Sequence, residues 1–171
     1  MPTLKQYDEA IAKYHESLTI KTVPVVSWEF NHILLDHITS SFLDVNKINA
    51  IALKTKWVKE DWDLSTILKD EVIIVTDYKL SIIFASSNLS KMNGYHEDDV
   101  LGKSPKMFHG KETCLKTSNE IREAVNQKIP FEKTVLNYKK NGETYICKIK
   151  GFPIFDEKGE LCNFIAFEKA A

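Results

Sequence analysis

At 171 residues and 43% hydrophobic content, the chain is long enough to bury a core and reads as one domain plus an extension. Its 23 Lys+Arg and 24 Asp+Glu leave a net charge of −1, and Arg122 is the single arginine, which argues against a nucleic-acid surface because phosphate and base recognition lean on the guanidinium fork. No basic stretch leads into an apolar one as in a signal peptide, and no apolar run approaches the ~20 residues of a membrane span, so a cytoplasmic protein without a membrane partner is expected.

The first predicted helix covers residues 3–18. Thr3 can cap it, and Leu4, Tyr7, Ile11, Tyr14 and Leu18 recur at helical spacing, laying down a narrow apolar seam. Such a seam needs a partner, either its own domain or a second chain. Pro24 interrupts, and Ser27 is expected to cap a second helix running from Trp28 to about Lys56, with a break near Ser40-Ser41. Asp61 or Asp63 then starts a short helix ending at Leu68, apolar at Leu64, Ile67 and Leu68. No Gly/Ser linker follows, so residues 1–70 are expected to form a helical extension, for dimerisation or docking, continuous with a core at 71–171.

The core opens with a strand at 71–76, EVIIVT, turns through 77–80 and continues as a strand at 81–85. Ser86-Ser87 offers two hydroxyls to cap a short helix that Gly94 stops, and Gly102 stops a second one begun at Glu97. Pro105 begins a further turn ending at Phe108. Thr117 and Glu120 have the spacing of a capping box for a longer helix, with Ile121, Ala124 and Val125 on its buried side and Pro130 at its exit. Strands are expected at 131–138 and 143–155, joined by Asn141-Gly142 in a two-residue primed turn with both residues at positive φ. Lys158-Gly159 turns into a last strand at 161–167, in which Phe164 and Ala166 face opposite to Ile165 and Phe167. Short helices laid across a sheet leave a pocket.

Residues 81–110, SIIFASSNLSKMNGYHEDDVLGKSPKMFHG, together with the longer helix and NYKKNGETY between two strands, resemble a PAS domain over about 71–169. The resemblance implies an α+β fold: a five-stranded antiparallel sheet with short helices on one face, enclosing a sensory cavity. In the flavin-binding light-oxygen-voltage branch, a reactive cysteine lies in a motif that matches GKSPKMFHG, and its position is Pro105 here. Proline has no nucleophile, so that branch's cysteinyl-flavin adduct is not expected. Ser104 and Cys147 stand where asparagines are usual, His109 and Glu168 where glutamines are, and Asn137 alone is retained. An anionic Glu168 would also meet a flavin carbonyl acceptor to acceptor, which argues against FMN or FAD held in that mode. Haem is not expected either, because residues 117–128 lack the histidine that usually ligates it. The cofactor is therefore left open, and the candidate cavity-lining residues are Phe84, Met92, Met107, His109, Asn137, Cys147 and Glu168.

Catalytic and metal signatures are lacking. Cys114, Cys147 and Cys162 form no CxxC, His32 and His37 fall on different faces of a helix, and Asp98 and Asp99 diverge in one turn. There is no GxSxG, phosphate-cradling loop or kinase signature, so no enzyme is expected. The reading is a stand-alone sensory module, homodimeric, that binds a small ligand or a signalling partner and passes its state through the N-terminal helices. Two alternatives stand beside it: a flavin-binding photoreceptor or redox sensor without the adduct, and an adaptor whose pocket is filled by its own side chains.

Overall fold

β-Branched side chains dominate β1 (Val72–Asp77), which has one neighbour on each side. With β2 (Ile82–Ala85), β3 (Phe131–Tyr138), β4 (Thr144–Phe155) and β5 (Leu161–Ala170) it forms an antiparallel sheet of order β2-β1-β5-β4-β3. β5 runs past the expected Phe167, because Lys169 and Ala170 still pair with Lys148 and Cys147. The computed structural model describes Lys13 and residues 26–58 and 60–171; the seam from Leu4 to Leu18 lies outside the described residues. The chain divides into two compact units, Met1–His37 and Ile38–Ala171. The second gathers residues 38–70 with the sheet. No described helix is long and apolar enough to cross a membrane.

Helix α1 (Val26–Thr55) and helix α2 (Leu64–Asp70) precede the sheet. α1 begins before Ser27, which lies inside it rather than capping it, and continues unbroken through Ser40-Ser41. Its later turns bury Ile48 against one face of the sheet, with Val45 and Ile51 beside it, among Leu68, Ile73, Val75, Phe84, Ile154, Ile165 and Phe167. Trp62 meets Phe152 and Phe167 there with ring centroids 5.4 and 5.3 Å away. Asp63 is the cap of α2: its carboxylate accepts from the Thr66 N–H at 3.1 Å and from the hydroxyls of Ser65 and Thr66, bonds that hold its pKa near about 2.

The opposite face carries α3 (Leu89–Asn93), α4 (Glu97–Val100), a 3-10 helix (Pro105–Phe108) and α5 (Leu115–Gln127). Neither Ser86 nor Ser87 caps α3 through its hydroxyl. Ser86 Oγ accepts the Ile73 N–H at 2.8 Å, and the N–H and hydroxyl of Ser87 both donate to Asp44 of α1, each at 2.8 Å. These serines tie the β2–α3 connection to the sheet and to α1. The capping box at Thr117 does not form either: α5 starts at Leu115, which puts Thr117 in its first turn, and Glu120 pairs with Lys133 at 2.6 Å.

The β3–β4 turn also departs from expectation. Lys139 N–H donates to Glu143 O at 2.8 Å and Gly142 N–H to Lys139 O at 2.9 Å, so the loop has three residues and Gly142 alone takes positive φ, at 88°. The loops 77–81 and 156–160 close with the same pair of bonds, and in the first of them Leu80 occupies the left-handed position at φ 66°. A Cβ on Gly142 would touch nothing, so Gly142→Val should cost about 1–2 kcal/mol through backbone strain alone. A denaturant melt superimposable on the parent's would rule out this loop geometry.

Candidate functional site

β5 alternates as its sequence suggests: Phe164, Ala166 and Glu168 turn toward the short helices, while Phe167 is buried beneath α1 and α2. Between this side of the sheet, the 3-10 helix and α5 lies a cavity of about 220 Å³. Ile74, Ile149, Phe164 and Phe131 give it apolar walls. Phe131 pairs across the sheet with Gly151, whose missing side chain makes the wall possible, since a Cβ there would lie 2.4 Å from the phenyl ring.

Two sets of hydrogen bonds fix how the 3-10 helix crosses the sheet. At its start, the Gly102 N–H donates to Ile82 O and the Ile82 N–H to Lys103 O, beside Thr76. Past its end, the Gly110 N–H reaches Thr113 Oγ1, whose hydroxyl donates to Leu136 O, next to Asn137. The exposed lining residues, Ser104, Lys106, Arg122 and Asn126, mark where the cavity opens.

Three buried polar groups stand in this apolar enclosure. Thr76 Oγ1 and Asn137 Oδ1 have no hydrogen-bond partner. Glu168 is 3% exposed, and its carboxyl has one partner among the described residues, the Cys147 thiol, which donates to Oε2 at 3.6 Å. Burial pushes the Glu168 pKa up to about 7. Burial first, and then the charge of Glu168, also raise the Cys147 thiol, which makes it a poor nucleophile. His109 is held low, chiefly by burial and then by Lys106.

Of the seven residues singled out from the sequence, the structure brings His109, Asn137 and Glu168 into the cavity lining. Phe84 lies on the opposite face. A bulge pairs Val75 with Phe84 but Thr76 with Ile82, so Ile83 is the extra residue and the alternation reverses across it. Ile82 consequently packs under the short helices while Phe84 packs under α1. Met92 and Met107 pack with Tyr95 against the cluster of Leu89, Val100 and Phe108, outside the cavity lining. Cys147 is fully buried behind Glu168 and is not among the lining residues. Thr76, Leu80 and Arg122 were not anticipated as lining; the lone arginine was visible in composition, but nothing local tied it to a pocket.

A family model described as PAS domain matches residues 70–169. The chain belongs to the PAS domain family. Protein TWIN LOV 1 of Arabidopsis thaliana is 34% identical over 88 residues, covering 51% of this PAS chain and 22% of that protein. Phototropin-2 of Oryza sativa subsp. japonica is 30% identical over 122 residues, covering 68% of this chain and 14% of that one. This PAS chain therefore spans less than a quarter of either relative's length. Among solved structures, the light-state dimer of the fungal blue-light photoreceptor Vivid matches with TM-score 0.55 and 27% identity, covering 57% of this chain and 76% of that one.

Whether a flavin suits the lining turns on one residue. The pyrimidine edge of a flavin presents carbonyl acceptors around one N–H. Asn137 Oδ1 could accept that N–H, but Glu168 meets a carbonyl favourably only in its protonated form.

Proposed function

We propose that this PAS domain is a ligand-responsive sensory module, in which a compact ligand occupies the cavity and its presence is passed to α1, through which two copies pair. The observation that carries the reading is the pair of orphaned polar atoms, Thr76 Oγ1 and Asn137 Oδ1, inside an apolar cavity of about 220 Å³. An unmatched buried polar group costs about 1–3 kcal/mol, a penalty that a hydrogen-bonding ligand relieves. A cavity of this volume suits a small ligand.

A short route to α1 supports the second half of the reading. Thr76 O accepts from Asn163 Nδ2 at 2.9 Å, and Asn163 Oδ1 accepts from the indole N–H of Trp57 at 2.8 Å, two residues beyond the end of α1. On α1 itself, Ile38, Phe42 and Leu53 lie on the side opposite Asp44, Ile48 and Ile51, with Phe42 65% and Leu53 81% exposed. The Vivid structure is a light-state dimer, which supports pairing as such.

Native mass spectrometry of freshly purified protein tests ligand occupancy: a bound small molecule is expected, and a bare chain that also fails to bind any cavity-sized probe would end this reading. Pairing is tested by sedimentation of the double variant Phe42→Glu, Leu53→Glu, which should shift the dimer toward monomer. A parent chain already monomeric at tens of micromolar, well above a roughly micromolar dissociation constant, would remove the pairing step.

The second reading is a flavin-binding photoreceptor that forms no adduct. It is favoured by relatives that include a blue-light-activated histidine kinase of Brucella anthropi, 33% identical over 85 residues. Pro105 lines the cavity, and Cys114 is an exposed residue at the start of α5, outside the cavity lining. A yellow preparation would favour this reading, and reversible bleaching by blue light should then be absent.

A further inference from the structure

The cavity has a chemically one-sided inner end. Asn137, 1% exposed, offers a carbonyl oxygen with nothing to accept from, and Glu168 offers two carboxyl oxygens against a single long thiol hydrogen bond. Among the described residues no Lys, Arg or His is paired with Glu168. No hydrogen bond among the described residues links the Asn137 amide to the Glu168 carboxyl. The other titratable groups near Glu168 are the Cys147 thiol and Tyr145 hydroxyl on β4, while His109, Lys106 and Arg122 line the cavity without pairing with that carboxyl. Around these acceptors the walls are apolar and partly aromatic, formed by Ile74, Ile149, Phe131 and Phe164.

Resting on the ligand-sensor reading, we infer that the cavity is specific for a compact aromatic amine or amidine, whose N–H groups enter first and bond Glu168 and Asn137 while its ring packs on the apolar walls. A carboxylate matches paired N–H donors bidentately, and a charge-assisted bond of this kind is roughly twice as strong as a neutral one. The same site penalises a carboxylate or carbonyl end, which would leave three acceptors facing one another. Lys106 and Arg122 are exposed at the opening, where water and salt screen them, so they oppose a cationic ligand weakly.

Benzamidine, benzamide and benzoate share one shape and differ in charge and donors, which makes them the probes. Binding is read by calorimetry and by the methyl resonances of Ile74 and Ile149 at about pH 8, where a carboxyl with a pKa near 7 is mostly ionised. Benzamidine is expected to bind at least tenfold more tightly than benzoate, and Glu168→Gln should erase most of that preference. Benzoate or benzamide binding at those methyls as tightly as benzamidine would overturn the inference and leave the ligand-sensor reading intact. Benzamidine binding that Glu168→Gln does not change overturns it too. Silence from all three probes would remove the inference and count against the cavity as a ligand site.

Discussion

Phe84→Ala should destabilise the domain by about 3–5 kcal/mol yet leave probe binding in the cavity unchanged, because its ring belongs to the face packed by α1 and α2. Phe84 is 1% exposed, among the largest fully buried side chains, and lies beside Ile48, Ile73, Val75 and Ile165, with the Lys47 ammonium 6.0 Å from its centroid. Removing the ring loses its burial and leaves a void that the close-packed core around it relaxes to fill only in part. Denaturant melts measure the loss, and benzamidine titration of the same variant reads the cavity. A loss under about 1 kcal/mol, or a severalfold change in probe affinity, would mean that the ring faces the other way.

Glu168→Gln should make the protein more stable than the parent at alkaline pH, by about 1–3 kcal/mol, with the advantage vanishing in acid. The carboxyl has a folded pKa of about 7 against an ordinary 4.5, so between those values the native state holds more protons than the unfolded one. Parent stability therefore falls as pH rises through this window, and the penalty is complete above about pH 7. Each pH unit weighs about 1.4 kcal/mol, which sets the upper figure near 3 kcal/mol; the glutamine amide, imperfectly partnered in the same place, reduces the gain. Carboxyls held low by their partners, such as Asp63 and Glu120, tilt both melting profiles the opposite way, so the difference between the two proteins is the informative quantity. Parallel profiles would show that Glu168 is ionised at no cost, and a parent more stable at high pH would reverse the sign of the argument.

Much of this molecule is local, and local features are legible in the chain. β1 is β-branched almost throughout, Pro105 sits where a helix start needs no N–H, and Asp63 precedes an apolar turn; each acts on residues within a few positions, so strands, short helices and the α2 cap lay where the residues put them. The PAS resemblance carried the five-stranded antiparallel sheet and the cavity, and Asn137, Glu168 and His109 came with it.

Tertiary contacts decided the remainder, wherever one group had to choose between partners. Ser86 and Ser87 have the chemistry of helix caps, but Ile73 and Asp44 claim their hydroxyls across the fold. Thr117 and Glu120 have capping-box spacing, yet Lys133 on the neighbouring strand takes the carboxylate. The bulge at Ile83 depends on how β2 meets β1, and by reversing one alternation it moved Phe84 from the expected cavity to the opposite core. The resemblance places Glu168 at a cavity position, but nothing in its neighbouring residues tells how far it is stripped of water. Only the closure of α5 and the 3-10 helix over the sheet removes its water and supplies no cation in return, and that environment, set by residues far away in the chain, makes it the site's most consequential group.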